Sequence, residues 1–311
     1  MIPYIARRLV LALPLLVVVS FVTFILIRLS PMDPAEVILR AQETPQLTDE
    51  LIEQTKEELG LNQPFLIQFA KWLISCMRLD FGDSYVSGQP VWSMIGPAFV
   101  NTLFLTLISS FSIILLSTLL GVACALREGT FADKSARGIS FLLTAVPSYG
   151  LASVLIWLFS VKLDWLPTSG MDSYKSYVLP VVVITVGYVG IYFRTVRSSV
   201  LSNKNEDYVL YGRACGLSEK TITLHILRNS LQVAISIFCM AIPIILGSTV
   251  VIENVFAWPG LGRLSIKAIL SRDFPVIQAY VLIVAVAFVV INTVSDIVNA
   301  ALNPKLRKDV P

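Results

Sequence analysis

Histidine is almost missing from this chain: its 311 residues include one, His225, and four cysteines, Cys76, Cys124, Cys215 and Cys239, no two of them closely spaced. That inventory supports neither a zinc knuckle nor a disulfide framework. It also argues against a bare-metal path, which would need several imidazole, thiolate or carboxylate ligands together. The GxxxxGK phosphate loop followed by Ser or Thr is absent, as are HExxH and GxSxG, so the chain holds neither its own ATP motor nor a familiar hydrolase centre. Charge is scarce, at 14% of residues against about 25% in an average soluble domain. No period of 20–50 residues repeats and no inverted halves are visible, which removes the repeat architectures and the usual mark of secondary transporters.

What the chain does have is apolar length. Hydrophobic residues make up 55% of it, and six long windows with little charge run through 9–27, 101–126, 138–161, 176–193, 229–252 and 274–295. A helix of about 20 apolar residues crosses a bilayer core, and each central Leu, Ile, Phe or Val contributes roughly 0.3–0.6 kcal/mol to insertion. The expectation is therefore six transmembrane helices. Arg7 and Arg8 precede the first window as in a signal peptide, but the run from Leu9 to Ile27 is longer than a signal core and no small-x-small cleavage pattern precedes Pro31. It is read as a span.

The net charge of +3 says less than its distribution. Basic residues gather in 1–8, 127–137, 194–228 and 303–311, including Lys305, Arg307 and Lys308, whereas 31–83 is acidic. The positive-inside bias then places both termini in the cytoplasm. The stretch from Pro31 to Pro97 is too long for a simple connection. Within it Thr48 can cap a helix that has Asp49 and Glu50 at its positive end and that Gly60 and Pro64 stop, and a second short helix is expected over Phe65 to Met77. A solvated lid with no ligand role remains an open reading of this segment.

The most informative stretch is SNKNEDYVLYGRACGLSEKTITLHILRN, Ser202 to Asn229. Asn205 or Asp207 can cap a short helix that Gly216 ends; Ser218 then caps a second, with Glu219 in its first turn, that runs into the fifth span. A helix this short is marginal alone and needs a surface to pack on. The result is a helix-turn-helix elbow on the membrane face, plausible as a handle for a partner protein.

Here the chain resembles the inner-membrane components of binding-protein-dependent ABC importers, whose cytoplasmic signature is an EAA-x3-G loop. With Gly216 as the signature glycine, Leu210, Tyr211 and Gly212 stand where E-A-A would be, and Ile226 at the later apolar position. The run Tyr208, Val209, Gly212, Arg213, Ala214, Gly216, then Leu227, Arg228, Asn229, is similar to the dipeptide, oligopeptide and nickel branch, departing from it at Gly212 and Cys215. Further resemblances are IENVFAWPGLGRLSIKAILSRDFPVIQ (Ile252 to Gln278), LDFGDSY (Leu79 to Tyr85) and the exit NAALNPKLR (Asn299 to Arg307). WLP (Trp165 to Pro167) and HILRN (His225 to Asn229) bring the texture closest to nickel and metallophore permeases.

The resemblance implies an all-α, type I importer permease. Its parts would be an N-terminal transmembrane helix (1–30), an external segment with short helices (31–95), a five-span core (96–303) with coupling loop 202–229 and external loop 253–276, and a cytoplasmic tail (304–311). It implies ATPase coupling through Asp207, Tyr208, Gly212, Arg213, Ala214, Gly216, Arg228 and Asn229. Glu253, Trp258, Pro259, Gly260, Gly262, Arg263 and Arg272 would form an external gate or meet a capture protein. In WPGLGR, Pro259 fixes one dihedral and Gly260 and Gly262 allow a sharp reversal, with Arg263, Lys267 and Arg272 facing outward; a plain membrane-surface turn is the alternative.

Asn292, Asp296 and Asn299 form an i, i+4, i+7 polar stripe, assigned either to the translocation path or to helix–helix hydrogen bonding. Pro147 and Pro243 interrupt spans three and five as hinges or tolerated kinks. No metal site and no cofactor on this chain are expected; ATP and magnesium belong to partner ATPase subunits. Expected partners are two such ATPases, a second homologous permease, an extracytoplasmic substrate-binding protein and the lipid bilayer, with no nucleic acid. The cargo would be nickel, cobalt or a metal-metallophore complex, with di- or oligopeptides as the alternative. An ATP-independent transporter or channel is the rival from another class.

Overall fold

The computed structural model describes residues 2–29, 33–41 and 47–302; the predicted tail 304–311 and the end of the NAALNPKLR run lie outside them. Twelve α-helices are present among the described residues, with no β-strand; the only pairing is a single bridge between Asp83 and Pro90. The chain divides into two compact units, residues 1–102 with 259–290 and residues 103–258 with 291–311.

In the first unit, α1 (Ile2–Arg28) is apolar, with Leu11, Leu15, Val18, Val22 and Leu26 exposed as lipid-facing residues would be. One flank meets α4 (Phe65–Met77), where Phe21 and Phe24 set their rings edge-on to Phe65 and Phe69 at 5.2–5.7 Å. Between them lie α2 (Pro34–Ala41) and α3 (Asp49–Glu58). The start and stop signals act as expected: Thr48 accepts a hydrogen bond from the Leu51 amide, Gly60 takes a φ of +65°, and Pro64 precedes α4. Then α5 (Val91–Leu126) starts ten residues before its apolar window and holds Pro97 without a break. Its first turns, with α11 (Leu261–Ser271) and the start of α12 (Phe274–Leu302), enclose a core of Phe81, Val91, Ile95, Leu261, Val276 and Ala279.

The second unit contains α6 (Phe131–Ala145), α7 (Ser148–Leu155), a π-helical stretch (Ile156–Lys162), α8 (Val178–Lys204), α9 (Asp207–Ala214) and α10 (Glu219–Val255). Its apolar core runs from Leu105 and Ile113 through Val183, Val196 and Phe238 to Trp258. Among the described residues four helices are long and apolar enough to cross a membrane, or five if the bent pair 131–145 and 148–162 is one span.

That pair corrects the third window. One span over 138–161, interrupted at Pro147 by a hinge or a tolerated kink, was expected; the two arms meet there at 98°, far more than a kink. Pro147 cannot donate to the preceding turn, and the residue before a proline is driven out of the helical region; Val146 accordingly sits at φ −79°, ψ 125°. Pro243 does not interrupt its span: α10 is continuous for 37 residues with Pro243 buried inside it. One proline breaks a span and the other does not, although each sits within an apolar run.

Candidate functional site: the elbow at the start of the fifth long helix

The elbow is present between α8 and α10, and its turn chemistry is complete. At the end of α9 the Leu217 amide donates to Gly212 O and the Gly216 amide to Arg213 O, each at 3.0 Å, while Gly216 adopts φ +77°. This is the Schellman arrangement, in which a left-handed residue just past the cap lets two amides close on the last free carbonyls. Ser218 then caps α10 by accepting from the Thr221 amide. The capping of α9 differs from expectation. Asn205 closes α8, Asp207 is the first helical residue, and Glu206 occupies the cap position without a side-chain bond. An acid in the first turn still complements the positive helix end.

Short as it is, α9 is held by packing. Val209 is buried, and Gly212 lies where a side chain would come within 3.4 Å of Leu217 and 3.6 Å of Ile222. These are ordinary contact distances, so an alanine at this position of the E-A-A run would fit equally well. The Arg213 guanidinium donates to both carboxylate oxygens of Glu219, at 3.0 and 3.4 Å, and these hydrogen bonds, with the carboxylate's charge, raise the Arg213 pKa further. Asp207, Arg213, Ala214, Gly216, Arg228 and Asn229 are exposed and Tyr208 is half-buried, while Gly212 is enclosed. Most of the expected coupling residues are thus accessible. His225 is exposed on the same elbow.

The residues of the predicted external loop are of two kinds. In the second unit Glu253 and Trp258 are fully buried. Thr249 Oγ1 lies 3.2 Å from Glu253 Oε1, and Trp258 meets Tyr177 edge to face at 4.5 Å. Ala257, at φ +49°, makes the reversal, with the Trp258 amide returning to Glu253 O at 2.8 Å. The glycines were misread. Gly260 is extended at φ −108° and Gly262 is a buried helical residue, so neither supplies the turn. In the first unit Asn101 Nδ2 donates to Pro259 O, and Leu261 N to the Thr102 hydroxyl, at 2.9 and 2.8 Å. Pro259, Arg263, Lys267 and Arg272 are exposed.

On α12, Asn292 and Asp296 are half-buried and Asn299 is buried. Beside them Ser295 donates to Cys239 O at 2.7 Å, a bond between α12 and α10.

Two further contacts join residues that lie far apart in the chain. Asp273, buried at the end of α11, accepts from the Ser84 hydroxyl and from the Tyr85 amide at 3.0 Å. It thereby ties the LDFGDSY turn to the SRDFP segment, two motifs noted separately. Burial, with Asp273 nearby, pushes the Tyr85 phenol up to about 12, so it stays neutral at any physiological pH. Asp273→Ala would leave a buried amide and hydroxyl without their acceptor, a cost of about 1–3 kcal/mol. Limited proteolysis is expected to cut faster within residues 79–90 of that variant, whereas Asp273→Asn, which keeps one acceptor oxygen, should resist longer.

The second is Asp133, fully buried at the start of α6 and gripped by both Arg197 Nε and Nη2 at 2.6 and 2.8 Å. Nothing local announces a partner 64 residues away. The spacing of Thr130, which caps α6 by accepting from Asp133 N, does carry a capping-box signal.

A cavity of about 900 Å³ in the first unit is lined by Phe24, Trp72, Asp80, Tyr85 and Gln278 among others. Among the described residues no three His, Cys, Asp or Glu side chains are grouped so as to hold a metal ion.

Comparison with known proteins gives the following. Residues 117–308 match the family described as binding-protein-dependent transport system inner membrane component, and residues 1–106 match the N-terminal family of the same systems. The chain is 57% identical to the metal-staphylopine import system permease protein CntB of Staphylococcus aureus, over 99% of each. It is 35% identical, again over 99% of each, to the glutathione transport system permease protein GsiC of Escherichia coli K12. Among solved structures, a chain of the inward-facing MetNI methionine ABC transporter superposes with a TM-score of 0.57 at 17% identity, covering 68% of this chain and 96% of that one.

Proposed function

Since this chain belongs to the inner-membrane components of binding-protein-dependent transport systems, a multi-pass permease of the cell membrane, we propose that it forms half of the translocation pathway of an ATP-driven importer for a metal-metallophore complex. The observation that carries the cargo is the 57% identity, end to end, with a chain named for metal-staphylopine import. A permease built for free ions would gather ligands along its path. With one histidine, exposed on the elbow, this chain is suited to an ion that arrives with its ligands already around it.

In this reading α1, α5, the α6–α7 pair, α8, α10 and α12 are six spans with both termini in the cytoplasm. Residues 31–95 and 253–276 face outward and 202–229 inward. Two separate ATPase subunits bind ATP and magnesium and press on α9; a second, homologous permease completes the path; an extracytoplasmic binding protein delivers the cargo. Exposed Pro259, Arg263 and Arg272 serve that delivery. Glu253 and Trp258, being buried, shape the gate, and Asn292, Asp296 and Asn299 are assigned to the path. ATP drives alternation by favouring the state in which α9 and the helices it carries are drawn together.

The test is uptake by the assembled transporter in vesicles. Radioactive nickel, cobalt or zinc presented with staphylopine is expected to accumulate when ATP is supplied inside. Accumulation of a dipeptide or glutathione with no metal complex would overturn the cargo; accumulation without ATP would overturn the importer mechanism.

A further inference from the structure

The elbow joins the rest of the second unit through α10, on whose start α9 packs, and through α8, which leads into it. The joint from α8 to α9 is two residues, Asn205 and Glu206, whose amides return to Ser202 O and Asn203 O. Through this short joint a displacement of α9 acts on the end of α8 as well as on α10. What α8 holds decides where that displacement goes.

Two of its contacts are with α6, and they share a spacing. Gly190 packs so closely on α6 that an added Cβ would sit 2.6 Å from the Ser140 carbonyl oxygen. Seven residues further along α8, Arg197 grips Asp133, which is seven residues before Ser140 on α6. Seven residues are about two helical turns, or roughly 10 Å. The helices thus run antiparallel and are fastened at two points on one line: a close backbone contact and a bidentate ion pair whose carboxylate is buried and whose guanidinium is half-buried. Asp133 also accepts from the Gly129 amide at 3.1 Å, which draws in the turn between α5 and α6. Lys204, at the last residue of α8, adds an exposed pair with Glu128 of that turn at 3.4 Å. Arg137 Nε stands 3.7 Å from the same Asp133 carboxylate.

We propose that Asp133 and Arg197 are positioning residues of the transport cycle: they lock α6 to α8, so that movement of the coupling helix α9 is delivered to α6 and, through the rigid bend at Pro147, to α7. Burying two charges is a poor way to gain stability, because desolvation offsets most of their attraction and an apolar pair of similar size commonly serves as well. What a bidentate ion pair adds is a single geometry: a guanidinium and a carboxylate meet in one plane at one register. Leucine and methionine would fill the space and leave the helices free to slide.

The inference rests on the reading of α9 as the handle of an ATPase, and its test separates the two. The double variant Asp133→Leu/Arg197→Met is assembled with its partner subunits and reconstituted. It is expected to reach the membrane and melt as the native complex does, yet to hydrolyse clearly more ATP for each metal complex imported. Arg197→Lys, which keeps the charge but loses the fork, should lie between them. The positions themselves are followed by spin labels at the exposed Lys134 and Ser198 in a background without native cysteines. In the native pairing, the distance between labels should stay fixed when nucleotide is trapped with vanadate; in the double variant it should broaden. Native coupling and a fixed distance in the double variant would overturn the proposal. Should the double variant fail to assemble, Arg197→Lys decides: native coupling in it counts against the lock. A native complex that imports nothing with ATP would instead defeat the functional reading and leave the label distance to judge the lock.

Discussion

Gly190→Val is expected to remove the protein from the membrane fraction, and Gly190→Ala to lower its level several-fold. Built on the observed backbone, a β-carbon at this position lies 2.6 Å from Ser140 O, 3.3 Å from Ser140 C and 3.2 Å from Thr144 Cγ2. The obstacle is mainly helical backbone, which cannot rotate aside as a long side chain can. Overpacking of this kind costs about 1–3 kcal/mol for a small group and more for a branched one. The damage would not stay local, because α6 pushed off Gly190 would also strain the Asp133–Arg197 pair two turns away. Gly187, less than one turn earlier on the same helix, has nothing within 4 Å of the corresponding point. Gly187→Ala should therefore accumulate normally. Quantitative immunoblots of washed membranes compare the three, and equal levels of Gly190→Val and native protein would refute the tight-contact argument.

Gly216→Pro should abolish uptake while the protein still inserts. Proline holds φ near −65° and has no amide hydrogen, whereas this position needs φ +77° and donates to Arg213 O. The Schellman turn then cannot form, and α9 loses the end that seats it on α10. The long apolar helices on either side contain none of this geometry, so insertion should be native. Gly216→Ala is the milder control, a left-handed alanine costing about 1–2 kcal/mol, and should retain part of the activity. The measurement is ATP-dependent uptake set against the amount of inserted protein. Native uptake by the proline variant would mean that α9 is not the handle.

How much of this was legible beforehand varies with the range of the interaction. The short-range signals read well: Thr48 and Ser218 cap the helices predicted for them, Phe65 and Met77 bound α4, and Gly216 ends α9 in the left-handed region. Apolar windows located the long helices but not their ends, since α5 and α10 extend ten residues past the windows into polar or amphipathic turns. Proline was ambiguous: the chain bends sharply at Pro147 while α10 continues as one helix through Pro243, and the residue type alone does not tell the two apart. Glycine misled at the external loop, where composition pointed to Gly260 and Gly262 and the structure uses Ala257. The contacts that organise the molecule, Gly190 with Ser140, Arg197 with Asp133 and Ser84 with Asp273, join residues about 50 to 190 positions apart. A single sequence contains no periodicity that pairs them.

The seven-residue interval shared by α6 and α8 also restricts what the chain can gain or lose. Deleting one residue anywhere from 191 to 196 would leave Gly190 in its seat and turn Arg197 by about 100°, away from its carboxylate; the same holds for 134 to 139 on the other helix. Natural variation in length, and any tag or reporter inserted by an experimenter, must therefore fall outside both intervals.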